Sequence, residues 1–135
     1  MTTAQNFDLT FNHYAINVED LQTSVDFYEN VMGLTQITNQ TQNNNIRWFG
    51  IGDHLELHVI QADTKNISLI KGVHLSFTLS NLDDFVKHLS SKEVYYESWQ
   101  GEALTTNTRP DGIKQIYLQD PDGYWIEIND AAAQY

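Results

Sequence analysis

At 135 residues, 41% hydrophobic and 12% aromatic, the chain has the length and composition of one folded domain rather than of a disordered segment. Eighteen acidic residues against seven basic ones give a net charge of −11, and the basic residues never cluster, so nucleic acid is excluded as the expected partner. No apolar run approaches the roughly 20 residues of a membrane span. Positions 1–12 lack the pattern of an export signal, and the absence of cysteine removes disulfide and thiolate chemistry. A cytoplasmic location is the expectation.

Residues 13–18 alternate, with His13, Ala15 and Asn17 on one face and Tyr14, Ile16 and Val18 on the other, as a half-buried strand requires. Asp20 is an N-cap candidate for a helix carrying Leu21, Val25, Tyr28 and Met32 on its apolar stripe, with Gly33 at its end. A short strand is expected at 34–38, and two more at 46–51 and 54–60, joined by the turn Gly52-Asp53. The run 61–72 links this half to the next and carries Ile67, Leu69 and Ile70, so it should pack against the protein.

The scheme then repeats. Residues 74–79 alternate with the same parity, again led by histidine. Asn81 caps a helix bearing Leu82, Phe85, Val86 and Leu89. His74 follows His13, and Asn81 follows Asp20, by the same 61 residues, the trace a duplicated unit leaves. The stretch 94–109 predicts one strand and a mobile loop. Strands at 113–118 and 124–129 follow, joined by Asp120-Pro121-Asp122-Gly123, with Pro110-Asp111-Gly112 as an earlier turn. The expected fold is α+β: two tandem βαβββ modules, about 11–60 and 73–130, related by a pseudo-twofold, their mixed sheets curving around a central metal and substrate pocket.

Each module opens with a histidine and closes with a glutamate on the polar face of a strand. Set face to face, the two half-sheets would bring His13, Glu56, His74 and Glu127 together, two imidazoles and two carboxylates suited to a first-row divalent ion. His58 shares its face with Glu56. Trp48, Tyr117 and Trp125 fall on the pocket side and suit a flat or aromatic substrate, or else belong to the core; Arg47, Arg109 and Lys114 are the candidate cations near the pocket, with His58 and Arg109 expected to line it.

The stretches 13–21, 24–28 and 32–34, the run 72–77, and above all Asp120-Pro121-Asp122-Gly123-Tyr124-Trp125-Ile126-Glu127-Ile128 resemble the vicinal oxygen chelate superfamily. That superfamily groups glyoxalases, extradiol dioxygenases, thiol transferases that confer fosfomycin resistance, and bleomycin-binding proteins. The resemblance implies a divalent transition metal (nickel, zinc, cobalt, manganese or iron) on His13, Glu56, His74 and Glu127, with Glu56 preferred over His58 because the ligand acid of glyoxalases stands in Leu-Glu-Leu. It implies a homodimer and a small-molecule substrate whose vicinal oxygens are chelated while an enolate-like intermediate forms, with Glu56 or Glu127 as base, in a lyase or isomerase reaction. The alternatives are an iron(II) dioxygenase using His13, His74 and Glu127, and a metal-free protein binding a cationic aromatic ligand.

Overall fold

The computed structural model describes residues 4–135; positions 1–3, the start of the segment read for an export signal, lie outside it. Among the described residues no helix is long and apolar enough to cross a membrane. The first half runs β1 (His13–Val18), α1 (Leu21–Asp26), β2 (Thr35–Ile37), β3 (Ile46–Ile51) and β4 (Leu55–Gln61). The second runs β5 (Leu75–Thr78), α2 (Leu82–Ser91), β6 (Asn107–Thr108), β7 (Lys114–Gln119) and β8 (Trp125–Asn129). Each half forms a four-stranded mixed sheet of the same topology, β1-β4-β3-β2 and β5-β8-β7-β6, in which the opening strand lies parallel to the closing one. These are the two tandem βαβββ units that the repeat predicts.

Strand alternation explains the layering. Ile16, Val18, Leu57, Val59, Ile116, Leu118, Ile126 and Ile128 are all buried and join Leu21, Val25, Leu82 and Leu89 of the helices in one core. Both helices are capped as read: Asp20 accepts from the Thr23 N–H at 2.8 Å and Asn81 from the Asp84 N–H at 3.1 Å.

Three local expectations need correction. The first helix keeps its α-helical period only to Asp26, and Phe27–Val31 is a π-helical turn in which the Met32 N–H reaches back five residues to Phe27 at 3.1 Å. A tertiary anchor sits in that turn, because the Tyr28 hydroxyl donates to Asp120 Oδ2 at 2.7 Å across the two halves. The stretch 94–109 is pinned rather than loose: Glu97 bridges to Tyr117, the Leu104 N–H binds Tyr96 O, and the Trp99 N–H binds Asn107 Oδ1 at 2.8 Å. The linker packs as expected through half-buried Leu69, which lies beside Gly123, but Ile67 and Ile70 are exposed, and Lys71 adds a polar tie that periodicity did not predict.

Asp120 itself is buried. Burial pushes its carboxyl up from the ordinary value, while the Tyr28 hydroxyl and the backbone N–H groups of Tyr124 and Asp122 hold it down. Ser24 Oγ and the Glu19 N–H bind the neighbouring Asp122, so α1 and the end of β1 meet the β7–β8 hairpin through polar groups as well as packing. Replacing Tyr28 by phenylalanine removes one donor from a buried carboxyl and should lower stability by about 1–3 kcal/mol. A urea midpoint equal to that of the unsubstituted protein would show that this bond between the halves contributes nothing.

Candidate metal and substrate site

His13 opens β1, and its neighbour across the parallel ladder is Glu56 of β4. Its Nδ1 lies 2.6 Å from Asn12 Oδ1, an oxygen that accepts, so Nδ1 donates and Nε2 keeps its lone pair. His58, two residues beyond Glu56, is sandwiched between rings: its centroid is 4.1 Å from that of His13 and 4.1 Å from that of Trp48, both stacked. His58 Nε2 lies 2.9 Å from Glu56 Oε1. Trp48 Nε1 is buried and has no hydrogen-bond partner among the described residues, an orphaned donor in the wall of this cup.

The second cup is built differently. His74, immediately before β5, donates from Nδ1 to the Lys71 carbonyl at 2.8 Å, which leaves Nε2 3.1 Å from Glu127 Oε1. Glu127 is buried, and its carboxylate also accepts from Tyr117 Oη at 2.8 Å, from Asn129 Nδ2 at 2.6 Å and from Ser76 Oγ at 3.2 Å. Burial alone would raise its pKa. The donors Asn129, Tyr117 and Gln115, together with the facing His74, outweigh that and keep the carboxyl below its ordinary value. Tyr117 is driven the other way, well above the ordinary phenol, by burial and by its bond to Glu127.

Lys71 closes this cup from the side. Its ammonium donates to Glu97 Oε2 at 2.6 Å, to Ser98 O at 2.8 Å and to Trp99 O at 3.0 Å, which uses all three of its hydrogens. The rings of Trp125, Tyr117 and Trp99 surround it, with centroids at 5.1, 5.2 and 5.7 Å. Hydrogen bonding from Lys71 holds Glu97 below its ordinary pKa. Arg109 is paired with Asp111 rather than free to face a ligand.

The residues singled out from sequence divide between the two halves of the fold. His13, Glu56, His58 and Trp48 share the first sheet; His74, Glu127, Tyr117 and Trp125 share the second, with Arg109 beside β6. Among the described residues no three histidine, aspartate or glutamate side chains come together in a group that could hold a metal. The two cups lie on separate four-stranded sheets that share no strand pairing. Sequence reasoning missed Asn12, Lys71, Ser76, Glu97 and Asn129. Ser76 and Asn129 were within reach, since they share strand parity with His74 and Glu127; Lys71 gave no periodic signal at all.

The chain belongs to the Glyoxalase/Bleomycin resistance protein/Dioxygenase superfamily, whose family model matches residues 10–128. It is similar to the metallothiol transferase FosB of Lysinibacillus sphaericus (strain C3-41), 30% identical over 129 residues, 93% of this chain and 84% of that one. It is also similar to the uncharacterized protein YwbC of Bacillus subtilis (strain 168), 29% identical over 122 residues, 87% of this chain and 94% of that one. Among solved structures, a putative glyoxalase family protein from Bacillus anthracis superposes with a TM-score of 0.75 at 20% identity, covering 94% of this chain and 98% of its own.

The lowered pKa of Glu127 carries a sign. A carboxyl held below its unfolded value of about 4.3 contributes stability that is present above that pH and lost as pH falls through the folded pKa. In metal-free protein the stability difference between the unsubstituted chain and Glu127→Gln should shrink as pH is lowered from about 6 to about 3 in thermal melts. A difference independent of pH across that window would contradict the hydrogen-bond account of Glu127.

Proposed function

We propose that this chain is a metal-dependent enzyme that holds a divalent transition ion through His13, His74, Glu127 and one donor from β4, with a second copy of the chain completing each site. The observation that carries this is the way the two opening histidines are oriented. Each has Nδ1 committed to an oxygen acceptor, Asn12 Oδ1 at 2.6 Å or Lys71 O at 2.8 Å, which turns Nε2 toward the cup, in His74 toward the Glu127 carboxylate. Oxygen partners of this kind fix tautomer and ring direction in metal-ligating histidines. Glu127 fits the same role, because its donors keep it ionised and its Oε1 already lies beside His74 Nε2. Imidazole and carboxylate together suit nickel, zinc, cobalt, manganese or iron.

When bound there, such an ion would polarise vicinal oxygens of a small substrate and lower the cost of negative charge developing on them. The division of labour between the two acids follows from their surroundings. Glu127 is saturated with donors and is a weak base; Glu56 is partly exposed and has His58 as its one hydrogen-bond partner among the described residues, so it is better placed to take a proton. Proton abstraction next to a carbonyl, as in a lyase or isomerase, is the reaction class this arrangement suits. Thiol transfer is the second reading, favoured by the metallothiol transferase relative. Against it, the cations beside the second cup, Lys71 and Arg109, are both already ion-paired, which leaves little to receive an anionic co-substrate.

The two-copy arrangement is supported by the placing of the two cups on separate sheets and by what flanks them. Exposed Phe11, Leu55 and Val73 stand within two residues of His13, Glu56 and His74, so apolar surface borders both half-sites. Metal content by mass spectrometry on tag-free protein purified without chelator should be near one transition ion per chain, and should vanish in His13→Ala and in His74→Ala. Refolding those two variants together should restore one site in each mixed dimer, because one of its two composite sites is then intact. A protein that takes up none of the five metals would overturn the metal reading, and mixed dimers without restored binding would overturn the shared site.

A further inference from the structure

Resting on that reading, the strand registers point to His58 rather than Glu56 as the ligand that β4 supplies, which makes the donor set three imidazoles and one carboxylate. In the first sheet the parallel ladder sets His13 opposite Glu56 and Ala15 opposite His58. In the second it sets Ser76 opposite Glu127. The repeat that places His74 61 residues after His13 makes Ser76 the counterpart of Ala15. The counterpart of Glu127 is then His58.

The antiparallel ladders say the same thing independently. Trp48 lies opposite His58 on β3 and β4, and Tyr117 lies opposite Glu127 on β7 and β8. The buried positions keep step, with Phe49 opposite Leu57 in one sheet and Leu118 opposite Ile126 in the other. Glu56, paired with Gly50, falls where Trp125, paired with Gln119, falls in the second half. Even the contacts repeat by position. The opening histidine meets the closing ligand residue in each cup, His13 stacked on His58 and His74 at hydrogen-bond distance from Glu127, and an aromatic ring of the adjacent strand touches that residue from the other side.

Glu56 then takes a different role. Its Oε1 accepts from His58 Nε2 at 2.9 Å, so Nδ1 is the nitrogen left with a lone pair, and the pair forms a carboxylate–imidazole unit of the kind that orients a metal-bound histidine. Each of the three histidines thus has one nitrogen held by an oxygen acceptor, Asn12 Oδ1, Lys71 O or Glu56 Oε1, while the other nitrogen of His74 faces the carboxylate of Glu127. A set richer in imidazole also favours nickel, cobalt, zinc or iron over manganese.

The test uses chelator-stripped full-length protein in its native oligomeric state, loaded with Co(II) for affinity and with Cu(II) for pulsed electron paramagnetic resonance, which counts coordinated imidazoles through their remote nitrogens. The unsubstituted protein should show three imidazoles. His58→Gln should show two and bind Co(II) more than a hundredfold more weakly. Glu56→Gln should keep three and lose roughly ten- to a hundredfold, as loss of an orienting partner does. Two imidazoles in the unsubstituted protein, unchanged in His58→Gln, would overturn the assignment in favour of Glu56, even if both variants bind weakly. Protein that takes up neither ion removes the metal-holding reading itself, whereas tight binding through two imidazoles removes only the identity of the fourth ligand.

Discussion

The register of the parallel ladders, β1 on β4 and β5 on β8, is the constraint from which the rest of the molecule follows. It decides which side chains point into the shared core and which into the cups, because on a pleated strand each residue's side is set by its neighbour's. Once Leu57 and Val59 are buried, Glu56 and His58 have only the polar face left. Once Ile126 and Ile128 are buried, Trp125, Glu127 and Asn129 must share the other. The helices add cover, and Tyr28, bonded to Asp120, fastens the first half to the hairpin of the second.

The two cups share a plan and differ in chemistry. In the second, a buried carboxylate is surrounded by donors from Tyr117, Asn129 and Ser76, so its charge is solvated by the protein instead of by water. In the first, the equivalent place holds an imidazole lying flat between an indole and another imidazole, with one carboxylate at its edge. A stack of rings and a net of hydrogen bonds fix a side chain by different means, one by packing and one by polarity. A duplicated unit has kept its backbone plan while the two copies acquired unlike surroundings for equivalent residues.

Much of this was legible in the chain. Period-two alternation gave the strands, Asp20 and Asn81 gave the caps, and the constant offset gave the duplication, since each depends on neighbours within a few residues. The choice between Glu56 and His58 was not legible. A slip of two residues returns every side chain to the same face, so alternation is blind to it, and the motif Leu-Glu-Leu reads equally well in either register. Only pairing with strands remote in sequence separates them. The division of the polar residues between two cups was hidden for a similar reason, because parity tells which face is polar but not where that face lies relative to its counterpart. Lys71 was invisible because its partners Glu97, Ser98 and Trp99 lie more than twenty residues away on a stretch without periodicity.

The cage around Lys71 bears on what the second cup can admit. Three aromatic faces that would greet a cationic guest already enclose the protein's own ammonium; Glu97 is engaged with it, and Glu127 is taken up by Tyr117, Asn129 and Ser76. A positively charged aromatic drug entering here would have to evict that ammonium, breaking three hydrogen bonds to gain contacts of the same kind. The acidic character of the chain as a whole therefore does not translate into an acidic aromatic trap at this spot.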